Sequence, residues 1–314
     1  MLVDDRGRFV CPSWLPIYET RAQALAELKD PNPADSDGLA AAMYYCDWQR
    51  VADGYRNRLS RSDEHAPDHS RLGLALLRQG AIEQARECCI RAALRAPDEP
   101  SVRQLQWELR EWELMAGWIP ELPQAARRTE RLRLDLLGPH HWEDLLWQYQ
   151  DPQIAALCCL PRFQSYRHFR DWLASEYGRG DVLMFAVVEH GTGFGGVVAL
   201  IRHRGVGFVY YWLGRELRGR GLAMEAVSCL LAMAGRLWGL RACYAKVYDF
   251  NQPSRRLLSR LGFDELPMVP EAPHQDELLY RLGCPQSDRE TNSELRTLLA
   301  DMRSDVRVRP WVVL

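Results

Sequence analysis

The sequence predicts an α/β (α+β) domain built on a central, mostly antiparallel sheet, preceded by an all-α helical-repeat domain. From His69 to Pro100, small and large apolar residues recur at the spacing of paired helices. Beyond residue 131 the patterns run β, α, α, β, β, β, loop, α, β, α, β. Between these regions GWIPELPQAARRTE, Gly117 to Glu130, is rich in proline and charge, has no apolar period and reads as a linker. At 314 residues the chain exceeds the usual single-domain size. The expected divisions are a helical domain over 1–116, a linker over 117–130, an α/β domain over 131–283 and a tail over 284–314.

HSRLGLALLRQGAIEQARECCIRAALRAPDEP starts at His69. Leu72-Gly73, Leu76, Gly80, Ala85, Cys89, Ala92 and Pro97 follow a pattern that resembles a tetratricopeptide unit, an antiparallel helix pair. Gly80 is expected to end the first helix, Ala85 to sit at the close crossing and Pro97 to stop the second. A looser copy lies about 34 residues upstream, with Cys46, Val51 and Tyr55 at the equivalent places. The run SVRQLQWELREWELMAG from Ser101 is a third amphipathic helix, expected to cap the stack. So short an array has to lean on the α/β region for support.

In the α/β region RTERLRLDLL alternates as a strand does, and GPHHWEDLLWQYQDPQIAAL opens like a helix at Gly138-Pro139. His140 and His141, at that helix start with no third ligand at metal spacing, read as surface or capping residues. SYRHFRDWLASEYGRG is a second helix closed by glycine. DVLMFAVVEH, FGGVVALIRH and GFVYYWLG are strands joined by short glycine turns, most simply an antiparallel meander. GLAMEAVSCLLAMAGRLWG, RACYAKVYDF, NQPSRRLLSRLGF and DELLYRLG supply a long helix, a strand, a short helix and a last strand. In the tail, NSELRTLLADMRS is a helix. The β-branched end VRVRPWVVL is an aggregation hazard unless paired, so it is expected to dock on the sheet, the repeat or a second subunit, a homodimer in the last case.

RELRGRGLAMEA, Arg215 to Ala226, joins a strand to the long helix. Glycines at 219 and 221 permit torsions that turn successive N–H groups inward, and the helix start adds unpaired N–H groups and a positive dipole end. Together they form a nest for a diphosphate. A dinucleotide fold is excluded because G-x-G-x-x-G is absent and no acidic ribose ligand follows in a second parallel strand. Arg218-Gly219-Arg220-Gly221-Leu222-Ala223, between FVYYWL and the long helix, resembles the fingerprint of the GCN5-related N-acetyltransferase superfamily. YWL, AMEA and Asn251-x-x-Ser254 ahead of Leu261-Gly262-Phe263 resemble its branch that acetylates ribosomal-protein N-termini, together with that branch's spermidine- and antibiotic-modifying relatives. The resemblance covers about half of the chain, from Arg127 to Gly283.

That resemblance implies acetyl-CoA as cosubstrate, bound by Arg218, Gly219, Arg220, Gly221, Leu222 and Ala223, with no metal. It implies a bulge in the strand before the loop, a backbone N–H of Leu213 directed at the thioester oxygen, and Asn251 on the pantetheine arm. Ser254 would protonate the departing thiolate, with Tyr248, Tyr244 or a water as rivals. Asn251 is equally placed to cap its helix. Acyl transfer to an amine also needs that amine unprotonated. A free α-amine has a pKa near about 8, so roughly a tenth is neutral at pH 7 and a weak base suffices. Glu189, Asp249 and Glu216 are the available carboxylates, Glu189 and Asp249 being the leading candidates. Of Phe208, Tyr210, Tyr211 and Trp212, alternate residues face the core and the others are free to line an acceptor cleft.

A net charge of −2 argues against a general nucleic-acid binder. All but two of the 40 basic residues are arginine, the lysines being Lys29 and Lys246, as codon bias would produce. Nine cysteines include the adjacent pairs Cys88-Cys89 and Cys158-Cys159 and no C-x-x-C, which indicates neither a zinc site nor a disulfide framework. No stretch reads as a signal peptide or membrane span, so a cytoplasmic protein is expected. The reading is an acetyl-CoA-dependent N-acetyltransferase for a primary amine, foremost a protein or peptide N-terminus, with the repeat positioning a protein partner. The alternatives are a coenzyme A-binding or inactive adaptor working through the repeat, and an acetyltransferase for small-molecule amines. A longer donor such as succinyl-CoA needs only a roomier or more basic donor pocket.

Overall fold

The computed structural model describes residues 48–61, 65–116, 122–149, 151–158, 161, 163–190, 193–302, 304 and 306–310. Four helices open it: α1 (Trp48–Arg61), α2 (Ala66–Arg78), α3 (Ile82–Arg95) and α4 (Pro100–Ala116). Helix α2 packs on each of the other three. Gly80, at φ 75°, turns the chain out of α2, and Ala81 N–H closes the end on Leu76 C=O at 2.9 Å. At the α2–α3 crossing Ala85 is fully buried. A Cβ on Gly73 would overlap the Leu105 side chain and lie 3.1 Å from Cys88 Cβ, so glycine is what lets α2 approach α3 and α4. The expected first helix of the upstream copy lies outside the described residues, its second helix being α1.

Strands β1 (Leu132–Leu136), β2 (Val182–Glu189), β3 (Gly193–His203), β4 (Val206–Leu213), β5 (Ala242–Tyr248), β6 (Asp264–Glu265), β7 (Met268–Pro270), β8 (Glu277–Gly283) and β9 (Val308–Pro310) make up the rest of the framework. Seven of them form one sheet in the order β1-β2-β3-β4-β5-β8-β6. The β2 to β4 meander is antiparallel, as expected, β1 pairs antiparallel with β2, and among the described strands of this sheet only β4 and β5 run parallel.

Both faces of the sheet are covered. Helices α5 (Trp142–Tyr149), α6 (Pro152–Leu157), α7 (Tyr166–Gly178) and α10 (Asp288–Asp301) lie on one face, over Met184, Ala199, Phe208 and Tyr244. Helices α8 (Leu222–Trp238) and α9 (Gln252–Arg260) lie on the other, over Phe185, Leu200, Val209 and Ala245. Period-two burial on β2, whose residues feed both cores in turn, explains its continuous apolar run.

The helix expected from Gly138 breaks in two. Pro139–His141 form a 3-10 turn before α5, and a fresh helix starts at Pro152, where Asp151 caps by accepting from Gln153 N–H at 2.8 Å. Asp151 precedes a proline and is extended, at φ −63° and ψ 115°, which ends the helix before it. The expected linker is also partly structured. Gln124–Arg127 form a 3-10 turn, and Leu122 and Ala126 pack on the core under α8.

The tail docks on the sheet domain, one of the three expected outcomes. Helix α10 opens with a capping box between Ser287 and Glu290 and buries Leu295, Leu298 and Leu299 in the α5–α7 core. Strand β9 pairs antiparallel with β7.

The helical array leans on the α/β domain, as its length requires. Trp112 meets His140 edge to face at 4.8 Å and Trp107 meets Tyr166 at 4.7 Å. Tyr166 Oη donates to Glu111 Oε2 at 3.1 Å, and Arg170 Nη1 lies 3.4 Å from the same oxygen. Behind them Arg78 forms a buried ion pair with Glu108 and stands over the Trp48 ring. His140 and His141 are corrected from surface residues to buried ones, 4% and 2% exposed, because α4 covers them. His141 does cap, its Nδ1 accepting from Gly138 N–H at 3.0 Å.

Candidate active site

Parallel pairing between β4 and β5 runs from Val206–Ala242 to Phe208–Tyr244 and stops. The strands then part, and a gap opens between residues 209–213 and 245–248. On its other edge β4 stays paired to β3, with Leu213 opposite Gly196. Gly214 N–H bonds Gly195 C=O at 2.8 Å. Bonded and non-bonded pairs alternate along an antiparallel ladder, so Leu213 sits at a non-bonded position with its N–H and C=O directed away from β3, into the gap. Arg218 Nε occupies that C=O at 3.1 Å. The N–H remains as the donor facing the space between the strands.

The bulge implied for β4 is in β3 instead. The β3–β4 register is unbroken, whereas the β2–β3 register slips between Val187 and Val188, leaving Gly195 as the extra residue. Glycine is needed there. A Cβ on Gly195 would overlap Leu217, and one on Gly196 would overlap Trp212 C=O and lie 2.9 Å from Leu213 Cα.

After β4 a 3-10 turn, Arg215–Leu217, leads into the glycine loop. Gly219 and Gly221 have φ of 75° and 78°, in the left-handed region that favours glycine. Gly221 is the N-cap of α8, and among the described residues no side chain caps that helix, which leaves its first N–H groups without an intrahelical partner. A Cβ would meet nothing within 4 Å at Gly219, and at Gly221 only Arg131 Nη2 at 3.7 Å. The loop is therefore an open cradle of backbone donors at a positive helix end, and it fits a diphosphate. Leu222 is buried in the core below and Ala223 packs beside it.

The two loop arginines are held by neighbouring carbonyl and carboxylate groups. Arg218 also donates to Gln153 Oε1 at 3.0 Å and lies 3.8 Å from Asp151. Arg220 pairs with both oxygens of Glu189, one at 2.9 Å. The Glu189 side chain is 6% exposed and that of Arg220 48%, so the carboxylate is interior to the pair. Glu225, in the first turn of α8, takes Thr129 Oγ1 and Arg131 Nη2 at 2.5 Å each, and Arg131 Nε at 2.8 Å. Burial works to raise its carboxyl, but these donors outweigh it and hold the group below the usual range.

Across the gap, α9 starts at Asn251, whose Oδ1 accepts from Ser254 N–H at 3.4 Å, so the capping role is present. Ser254 Oγ lies 2.6 Å from Tyr211 Oη, a hydroxyl pair that bridges from α9 to β4 on the α8–α9 face. Burial pushes the Tyr211 phenol up to about 12, so it stays protonated at neutral pH. In the sequence Tyr211 stands only as one of four neighbouring aromatic residues. The signal that could single it out is its odd-numbered register with Leu213, which puts both on one face.

The other candidates are dispersed. Tyr244 is fully buried and donates to Glu294 Oε1 at 2.8 Å under α10, on the opposite face. Tyr248 stacks on the exposed Phe250 at 5.2 Å. Asp249 is exposed between them and its backbone carbonyl accepts from Arg255. Among the described residues no group of three or more His, Cys, Asp and Glu side chains could hold a metal, and no helix is long and apolar enough to cross a membrane.

The site is thus a sheet that splits between two parallel strands, with an open glycine turn and a helix start directly after the first of them. Residues 131–264 match the family model described as the acetyltransferase (GNAT) domain. This region is a GNAT acetyltransferase domain. No curated protein matches. Among solved structures, the chain is similar to a ribosomal-protein-S5-alanine acetyltransferase from Vibrio fischeri, at 17% identity and TM-score 0.44, over 49% of this chain and 94% of that one. It is also similar to an acetyl transferase from Salmonella typhimurium that modifies the N-terminal serine of ribosomal protein L7/L12, at 18% identity and TM-score 0.44, over 50% and 97%. A third is the microcin C7 self-immunity acetyltransferase in complex with acetyl-CoA and AMP, at 18% and 0.44, over 49% and 93%.

Proposed function

We propose that this protein transfers the acetyl group of acetyl-CoA to the α-amine of a polypeptide, and that its helical array helps position the protein that carries that amine. The single observation that carries the transfer is the alignment of three elements along one gap: the cradle at Gly219–Gly221, the Leu213 N–H, and the Tyr211–Ser254 hydroxyls. Arg218, Gly219, Arg220, Gly221, Leu222 and Ala223 would hold the diphosphate, chiefly through backbone N–H groups. Asn251 keeps its side-chain NH2 to donate to the pantetheine arm while its Oδ1 caps α9.

In this reading the neutral amine attacks the thioester carbonyl, forming a C–N bond as the C–S bond breaks. The Leu213 N–H stabilises the oxyanion. Ser254, polarised by Tyr211, gives its proton to the departing sulfur, the amine's surplus proton passes to water, and water returns a proton to Ser254, so the net transfer is from amine to thiolate. A polypeptide α-amine suits a site without a dedicated strong base, because at pH 7 roughly a tenth of it is already neutral. Asp249, exposed beside Tyr248 and Phe250, would take up that proton through water. Glu189, engaged with Arg220, serves the cradle. In the array, the exposed Ile90 and Leu94 of α3 lie one turn apart and offer a partner an apolar contact.

The test is thiol release from acetyl-CoA with a panel of peptides bearing free N-termini, the same peptides blocked at the N-terminus, and polyamines. Turnover with the free peptides alone supports the reading. Turnover confined to polyamines overturns the acceptor assignment, and absence of coenzyme A binding overturns the donor assignment. Within the same assay, Ser254→Ala with Tyr211→Phe is expected to lower kcat by about 100-fold, within the range general acids contribute. KM for acetyl-CoA should change little, and a kcat equal to wild type would remove the hydroxyl pair from the chemistry.

A further inference from the structure

Arg131 stands 87 residues before the first loop arginine, ahead of β1, yet it is fastened to the glycine loop. Its Nη1 donates to the Arg220 carbonyl at 2.9 Å, while Nε and Nη2 grip Glu225 Oε2 at 2.8 and 2.5 Å. The Arg131 backbone N–H and Thr129 Oγ1 hold Glu225 Oε1 at 3.2 and 2.5 Å. Four donor groups from one segment thus converge on one carboxylate, and a fifth bond reaches the loop backbone. The side chain of Glu225 is 19% exposed and that of Arg131 45%, so the guanidinium sits at the rim.

Peptide geometry turns this anchoring into an orientation. In a planar trans peptide the C=O of one residue points opposite to the N–H of the next. Fastening Arg220 C=O to Arg131 on the β1 side therefore directs Gly221 N–H the other way, into the cradle. Gly221, free to rotate as a left-handed glycine, has no side chain of its own to set that orientation. A second effect is electrostatic. A bare carboxylate in the first turn of α8 would repel a diphosphate bound at the same helix end, and the Arg131 guanidinium compensates it.

We propose that Arg131, held by Glu225 and Thr129, is a positioning residue for the donor: it aims the Gly221 N–H at the diphosphate and keeps the first turn of α8 from repelling it. This rests on the reading of the loop as the coenzyme A cradle. It accounts for why the segment Thr129–Arg131 packs against the start of α8 rather than running free as a linker.

The experiment measures calorimetric affinity for coenzyme A and for pantetheine, which lacks the diphosphate, in wild type, Arg131→Ala and Arg131→Lys, together with ligand-free melting temperature. Arg131→Ala is expected to weaken coenzyme A by about 30-fold, the scale of one lost charge-assisted bond. Pantetheine affinity should stay at the wild-type value. Arg131→Lys should fall between, because an ammonium can still donate to the carbonyl but cannot grip the carboxylate in the same fork. Unchanged coenzyme A affinity in Arg131→Ala overturns the proposal, and so does an equal loss for both ligands, which would mark a general loosening of the fold. Failure of the wild type to bind coenzyme A would instead remove the donor reading on which the proposal stands.

Discussion

Replacing Gly221 with glutamate is expected to abolish coenzyme A binding, raising Kd by more than about 100-fold, while the array and the sheet remain folded. Gly221 sits at φ 78° and ψ 1°, and a side chain there incurs roughly 1–3 kcal/mol of backbone strain. That is tolerable against a typical stability of about 5–15 kcal/mol. In the ligand-free protein the new Cβ would meet only Arg131 Nη2, at 3.7 Å, so no packed contact forbids it. The damage is to the ligand. A carboxylate at the N-cap would accept the α8 N–H groups that a diphosphate needs, and its charge would repel the phosphates. Gly221→Ala separates the two effects, since it carries the strain without the charge. Calorimetry with coenzyme A, and circular dichroism to confirm folding, are the measurements. A glutamate variant that binds like wild type would show that the loop is not a phosphate cradle.

What could be read from the sequence, and what could not, divides along the distance between interacting residues. The left-handed glycine turn was legible because both of its glycines lie within Arg218 to Ala223 and each has a local reason. The succession of strands and helices along the chain was legible because period-two and helical patterns are local. Missing were the pairs that join distant segments: Arg131 with Glu225, Tyr211 with Ser254, and Arg220 with Glu189. No spacing rule connects such residues until the sheet brings them together. The same holds for the β3 bulge, since FGGVV carries no mark that one glycine is extra. The helix break at Asp151-Pro152 is a different kind of miss. Its signal, a capping residue followed by proline, was in the sequence, and the apolar period on either side hid it.

Acidification from pH 7 to 5.5 is expected to destabilise the packing of the helical array on the acetyltransferase domain, and two buried histidines are the cause. Burial holds His140 well below the ordinary value of 6.5, and the neighbouring His141 ring, Arg78 and Arg133 reinforce it. Burial likewise holds His141 down at about 3, with Arg78 and Arg133 acting in the same direction. Both are therefore neutral in the folded protein at pH 5.5, whereas in the unfolded chain, near pKa 6.5, most of each is protonated. The unfolded state binds more protons throughout this window, so stability falls as pH falls. Well below pH 6.5 the loss approaches about 1.4 kcal/mol per pH unit for each histidine. His140 packs on Trp112 of α4 and His141 accepts the Gly138 N–H, so protonation acts where the array meets the domain. The measurement is urea unfolding at both pH values for wild type and for His140→Phe with His141→Gln. Phenylalanine keeps the ring against Trp112 and glutamine keeps an acceptor for Gly138. Wild type should lose roughly 2–3 kcal/mol over the interval, the sum for two histidines, and the double variant much less. An equal loss in both proteins would mean that the acid-sensitive groups lie elsewhere in the fold and that the array's seating is indifferent to these two rings.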